Sequence, residues 1–103
     1  MNIKLSKLNR SVGKYANIHL FLDHQKIATV STGETVTCEV PKGSLVVLKS
    51  HVMVKPCTIQ LPKNLEEVTI YCQLLNEPFR LKTPIQAIVT SKNQWIGIFT
   101  SDD

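Results

Sequence analysis

Residues 18–40, IHLFLDHQKIATVSTGETVTCEV, decide the fold. Ile18, Leu20 and Leu22 alternate with Asn17, His19 and Phe21, the period of two expected of a strand with one buried face. Asp23-His24-Gln25-Lys26 reads as a turn-like tetrad, and Ile27 to Val30 returns as the hairpin partner. Ser31-Thr32-Gly33-Glu34 is a second turn, after which Val36, Cys38 and Val40 share one face. No apolar stripe at helical spacing interrupts this pattern.

The same texture extends in both directions. Upstream, Ile3 and Leu5 alternate with Lys4 and Ser6 as a first strand, residues 11–14 form a connection, and the second strand spans 16–23. Downstream, Pro41-Lys42-Gly43 closes a strand: Pro presets the turn angle and Gly accepts a positive φ. Residues 44–54 are apolar on both faces, and Pro56 makes the next stretch an edge strand or a strand start. Cys57, Ile59 and Leu61 alternate until Pro62-Lys63-Asn64, and Val68 to Leu74 form a strand with Tyr71 on the opposite face. Pro78 and Pro84 bracket a short extended piece. Ile85 to Thr90 and Gln94 to Thr100, joined by Ser91-Lys92-Asn93, read as a C-terminal hairpin over 85–100. The helical candidate, Asn64 to Glu67, is too short to matter. Strands separated by turn signals predict an all-β, single-domain antiparallel β-sandwich over residues 1–103, with a small β-barrel as the alternative.

Composition bounds what such a chain does. Its 103 residues are 43% hydrophobic and 19% charged, enough apolar material for one core and too much for a disordered chain. No apolar run is long enough to cross a membrane as a helix. Twelve Lys and Arg against eight Asp and Glu give a net charge of +4. Lys4, Lys7, Arg10 and Lys14 supply that excess within the first fourteen residues, and the rest of the chain is balanced. Arg, which reads phosphates in bidentate fashion, is scarce. The lysines are therefore read first as solubilising groups protecting an edge-like first strand. A nucleic-acid or anionic-surface contact by the same four residues is the alternative.

The opening segment MNIKLSKLNRSVGKYANIHL lacks the apolar centre and cleavage site of a signal peptide, so a cytoplasmic chain is expected. Cys38, Cys57 and Cys72 each sit on an apolar row, and their odd number and spacing suit buried thiols better than a disulfide framework or zinc site. The acids are scattered over turns and termini, and His19, His24 and His51 show no ligand pairing. No phosphate-binding glycine loop is present. No catalytic residue, cofactor or metal is expected. Most aromatic side chains are assigned to the core. Trp95 and Phe99 are exceptions: QWIGIF is apolar on both faces, which means a sandwiched strand or one exposed to a partner.

Residues 18–49 also resemble PEGA-like β-sandwich domains of Gram-positive bacteria. The shared pattern is an apolar strand ending in an Asp turn, a return strand, a Gly-Glu turn and a strand closed by Pro-x-Gly. Here it reads IHLFLDHQKIATV, STGETVTCEV and PKGSLVVLK, with Arg10 and Gly13 ahead of it. Asp23-His24 replaces the usual Asp-Gly, and Gly43-Ser44-Leu45 replaces Gly-Lys-His. The resemblance implies a non-catalytic module for attachment or protein binding and transfers no active-site residue. The expected activity is protein contact or self-association through a sheet edge or apolar patch, carried by Trp95, Ile96, Ile98 and Phe99.

Overall fold

The computed structural model describes residues 1–8, 16–75 and 82–101. Their nine strands are β1 (Asn2–Lys7), β2 (Ile18–Leu22), β3 (Gln25–Val30), β4 (Thr35–Glu39), β5 (Leu45–Lys49), β6 (Cys57–Gln60), β7 (Glu67–Leu74), β8 (Ile85–Ser91) and β9 (Gln94–Thr100). They form a five-stranded sheet in the order β4-β1-β7-β8-β9 and a four-stranded sheet in the order β3-β2-β5-β6. No ladder joins the two sheets among the described residues, so the architecture is a sandwich and not a closed barrel.

The alternation legible in the sequence is what fills the space between the sheets. Ile3, Leu5, Val68, Ile70, Cys72, Ile85, Ala87 and Val89 face inward from one sheet, and Ile18, Leu20, Val46, Leu48, Cys57 and Ile59 from the other. Each is fully buried or nearly so, and each such aliphatic side chain contributes roughly 1.5–3 kcal/mol relative to exposure. β6 begins directly after Pro56 and is an edge strand, in keeping with a residue that cannot donate to a ladder. Gly33 and Gly43 take φ of 78° and 76° in their turns. At Gly43 a Cβ would also lie 2.8 Å from Lys63 Cγ, so no other residue fits without displacing that side chain.

Three expectations need correcting. The sandwich is not purely antiparallel: β1 and β7 pair in parallel, with Ile3 beside Val68 and Leu5 beside Ile70. The chain reaches β7 only after building the other sheet, and that long crossover permits a parallel neighbour. β1 is not an edge strand, because β4 covers its other side in antiparallel register. Finally, Phe21 is not core. It lies on the outer face of the four-stranded sheet in the row of Lys26 and Val47, and Lys49 Nζ sits 4.7 Å above its ring.

Several boundaries also shift. β2 is shorter than the expected 16–23, and β5 ends at Lys49, well before residue 54. The turn-like tetrad 23–26 contracts to Asp23-His24, both at positive φ (50° and 65°), so Gln25 and Lys26 already belong to β3. Lys92 and Asn93 form the same kind of two-residue turn, with φ of 49° and 66°. This left-handed pair is the turn that matches the twist of a tight hairpin. The expected connection at 11–14, the core assignments of Tyr15 and Phe79, and most of the extended piece before Pro84 lie outside the described residues.

Candidate functional site: the β9 edge

β9 ends the five-stranded sheet and has a strand on one side only among the described residues. Its register against β8 pairs Thr100 with Gln86, Phe99 with Ala87, Ile98 with Ile88 and Gly97 with Val89. Ser101 N donates to Ile85 O at 2.9 Å, which fixes the alternation of the antiparallel ladder. Gly97 and Phe99 therefore direct their backbone groups to β8, while the N–H and C=O of Ile98 and Thr100 point away from the sheet.

A bulge then changes the side-chain parity. Val89 pairs with Gly97 but Thr90 pairs with Trp95, so Ile96 is an extra residue in β9. Strict alternation would place Trp95 on the inner face with Gly97 and Phe99. The bulge instead brings it to the outer face with Ile98. Tyr71 on β7 pairs with Ile88, and Ile88 with Ile98, so these three form one cross-strand row on that face. The exposures are 62% for Trp95, 50% for Ile98, 38% for Tyr71 and 36% for Ile96. Ile88 is half-buried between its neighbours.

Of the four contact residues expected from sequence, three are presented to solvent and one is not. Phe99 faces the core and packs against it. Its ring comes within 3.6 Å of the position a Gly97 Cβ would occupy, ordinary van der Waals contact, so the ring lies along the inner face of β9 over Gly97. Tyr71 and Ile88 were missed: each sits in a strand whose buried face dominates the pattern, and only the pairing register brings them beside Ile98.

The basic set does not assemble. Lys4 is exposed, yet its row partners are Thr37 and Thr69, and the adjoining row carries Glu39 and Glu67. Lys7 is 0% exposed, with Nζ donating to Ala16 O at 2.5 Å and to Thr32 Oγ1 at 2.8 Å. It shares the inward parity of Ile3 and Leu5, and desolvation lowers its pKa. It ties the start of β2 and the turn after β3 to β1 and is not available to a polyanion. Arg10 and Lys14 lie outside the described residues.

The remaining chemistry is sparse. Among the described residues no group of three or more His, Cys, Asp or Glu converges as a metal site. The three cysteines are free thiols. Burial pushes Cys72 up to about 12 and also raises Cys38, so neither is an activated nucleophile. His19 Nδ1 lies 2.9 Å from Thr29 Oγ1, and burial followed by the nearby Lys26 charge lowers its pKa. A depression of about 450 Å³ over β4, β1 and β7 is lined by groups of both signs, Lys4 with Glu39 and Glu67. No helix among the described residues is long and apolar enough to cross a membrane.

Compared with protein-family models, curated proteins and solved structures, the chain matches none of them.

Proposed function

We propose that this domain is a non-catalytic protein-contact module that binds through the β9 edge and the outer face beside it. One observation carries the reading: a charge-free edge strand, Gln94–Thr100, presents Trp95 and Ile98 at 62% and 50% exposure. An incoming extended segment gains main-chain hydrogen bonds from Ile98 and Thr100, and Trp95 and Ile98 supply apolar area beside them. The PEGA-like resemblance of residues 18–49, which implies attachment or protein binding, agrees with this reading. A cytoplasmic setting is part of the proposal, supported by the free thiols.

The alternative, an anionic-surface or nucleic-acid contact, draws support from Lys4 alone among the described lysines of the first segment. Lys4 has acids in the neighbouring row. A displayed library of extended peptides tests the main reading. Selected peptides should shift the amide resonances of Ile96, Ile98 and Thr100 and leave Thr35 to Glu39 on β4 unmoved. Peptides that map to β4, or a library that yields no binder, would refute it.

A further inference from the structure

We infer that the partner of β9 is β9 of a second copy, paired antiparallel about a two-fold axis through Ile98. Two five-stranded sheets then join into one continuous sheet. The inference rests on the reading of β9 as a contact strand and names its occupant.

The backbone sets the register. Ile98 and Thr100 point their N–H and C=O outward, as the Ser101–Ile85 bond and the β8–β9 pairing require. Antiparallel pairing about Ile98 places Ile98 opposite its own copy, where the two exchange both N–H···O=C bonds. Thr100 then lies opposite Ile96 of the second copy. The bulge at Ile96 ends the regular ladder, so the paired segment stays short and cannot slip toward Trp95.

The side chains agree with that axis. Tyr71, Ile88 and Ile98 occupy one row perpendicular to the strands. A two-fold axis at Ile98 extends the row through the same three residues of the second copy. Directly opposed cross-strand neighbours are the pairs that stabilise a sheet. Trp95 of each copy flanks the row and covers the other copy's strand end.

Charge and length distinguish β9 from the other described edges: β3 carries Lys26, β4 carries Glu39, and β6, though uncharged, spans only Cys57–Gln60 directly after Pro56. Symmetric pairing brings a strand against its own sequence, and QWIGIFT holds no charged residue and no Pro. β3 is an edge built in the same way, with a two-residue turn and then a bulge, but carries Lys26 and Thr29 where β9 carries Trp95 and Ile98. An isologous two-fold contact is also the commonest way for a chain to associate with itself. One short strand with two apolar side chains falls at or below the ~1,200 Å² lower end of stable interfaces, so the dimer is weak and concentration-dependent.

Sedimentation velocity from roughly 10 to 500 µM, which brackets a dimer of about −5 to −6 kcal/mol, tests it. The wild-type chain should pass from the 11.6 kDa monomer toward twice that mass. Ile98→Lys should remain monomeric throughout, with an unchanged circular dichroism spectrum. If that variant misfolds, Thr100→Pro serves instead: it removes an outward N–H that β8 does not use, and should also remain monomeric. A wild-type chain that is monomeric at the highest concentration, or a folded variant that still dimerises, would overturn the inference. A monomeric chain that nonetheless selects peptides on β9 would overturn the self-pairing and leave the contact function standing.

Discussion

Two tight hairpins among the described residues, β2–β3 and β8–β9, are one design used twice. DHQKIATV (23–30) and KNQWIGIF (92–99) correspond position by position in turn, bulge and face. Two left-handed residues make each turn, a Gln starts the return strand, and an Ile is the bulge. Ala28 and Gly97 are small residues on the inner face, and Val30 and Phe99 follow them there. Both return strands are sheet edges. The difference lies on the outer face, where Lys26 and Thr29 in β3 correspond to Trp95 and Ile98 in β9. Their partners differ in the same sense: Thr29 pairs with His19 and Ile98 with Ile88. A lysine on an edge discourages pairing with another chain, and an uncharged apolar surface does not. The same turn and bulge with opposite surface chemistry separate what the fold needs from what the contact needs.

The largest effects test whether the two edges are held equally well. Phe99→Ala should destabilise the domain by about 3 kcal/mol and Val30→Ala by about 2, because the phenyl ring removes more area from water than an isopropyl group even when partly exposed. Urea unfolding of each variant measures this. A loss below about 1 kcal/mol for Phe99→Ala would mean that β9 is loosely attached, and its outer face would then not be a rigid platform.

Transferring the surface comes next. Lys26→Trp with Thr29→Ile gives β3 the outer face of β9. In an Ile98→Lys background this double variant should restore concentration-dependent association, strengthening it at least tenfold, or about 1.4 kcal/mol. Sedimentation reads the outcome. Failure to associate would show that strand chemistry alone is insufficient and that the row behind β9, Tyr71 and Ile88, is required.

The strands and the core were legible because they rest on local alternation. Cys57, Ile59 and Leu61, or Val68, Ile70 and Cys72, declare a buried face within five residues, and all six are buried. What alternation cannot carry is the pairing of distant strands. The parallel contact of β1 with β7 joins residues more than sixty positions apart. The lysines of β1 suggested an edge, yet Lys7 shares the parity of Ile3 and Leu5 and follows them inward. At the site, the uncharged apolar run pointed to Trp95, Ile96 and Ile98. The same alternation grouped Trp95 with Phe99, and only the bulge separates them. Bulges have no fixed residue signature, and Tyr71 and Ile88 needed the register of two further strands.

The turns offer a smaller test of the shared design. His24 and Asn93 occupy the same left-handed position, with φ of 65° and 66°. Both carry a Cβ that crowds the following carbonyl, but the short amide of Asn offsets this by hydrogen-bonding the local backbone, which the His ring does less well. His24→Gly should stabilise the domain by about 1 kcal/mol and Asn93→Gly by about half that, measured by thermal unfolding. Equal gains would mean that the strain is distributed differently in the two turns than their matching angles imply.

The smallest effect depends on pH and exists at one hairpin only. His19 stands where β8 has Ile88, beside Thr29 and near Lys26. Burial first, and the Lys26 charge second, depress its pKa in the folded state below the ordinary 6.5. As pH falls through 6.5 the unfolded chain takes up a proton that the folded chain refuses, so stability declines until the folded pKa is passed. Above 6.5 the imidazole is neutral in both states and contributes no slope. His19→Gln should therefore flatten the acid side of the stability profile without altering its neutral plateau. Lys26→Gln should flatten it only in part, because the lysine charge is the lesser of the two causes. If Lys26→Gln removed the whole slope, the charge and not burial would govern this edge. The lysine that guards β3 against pairing would then also be what makes that hairpin sensitive to acid, a liability that β9, with Ile88 and Ile98 in the same two positions, does not have.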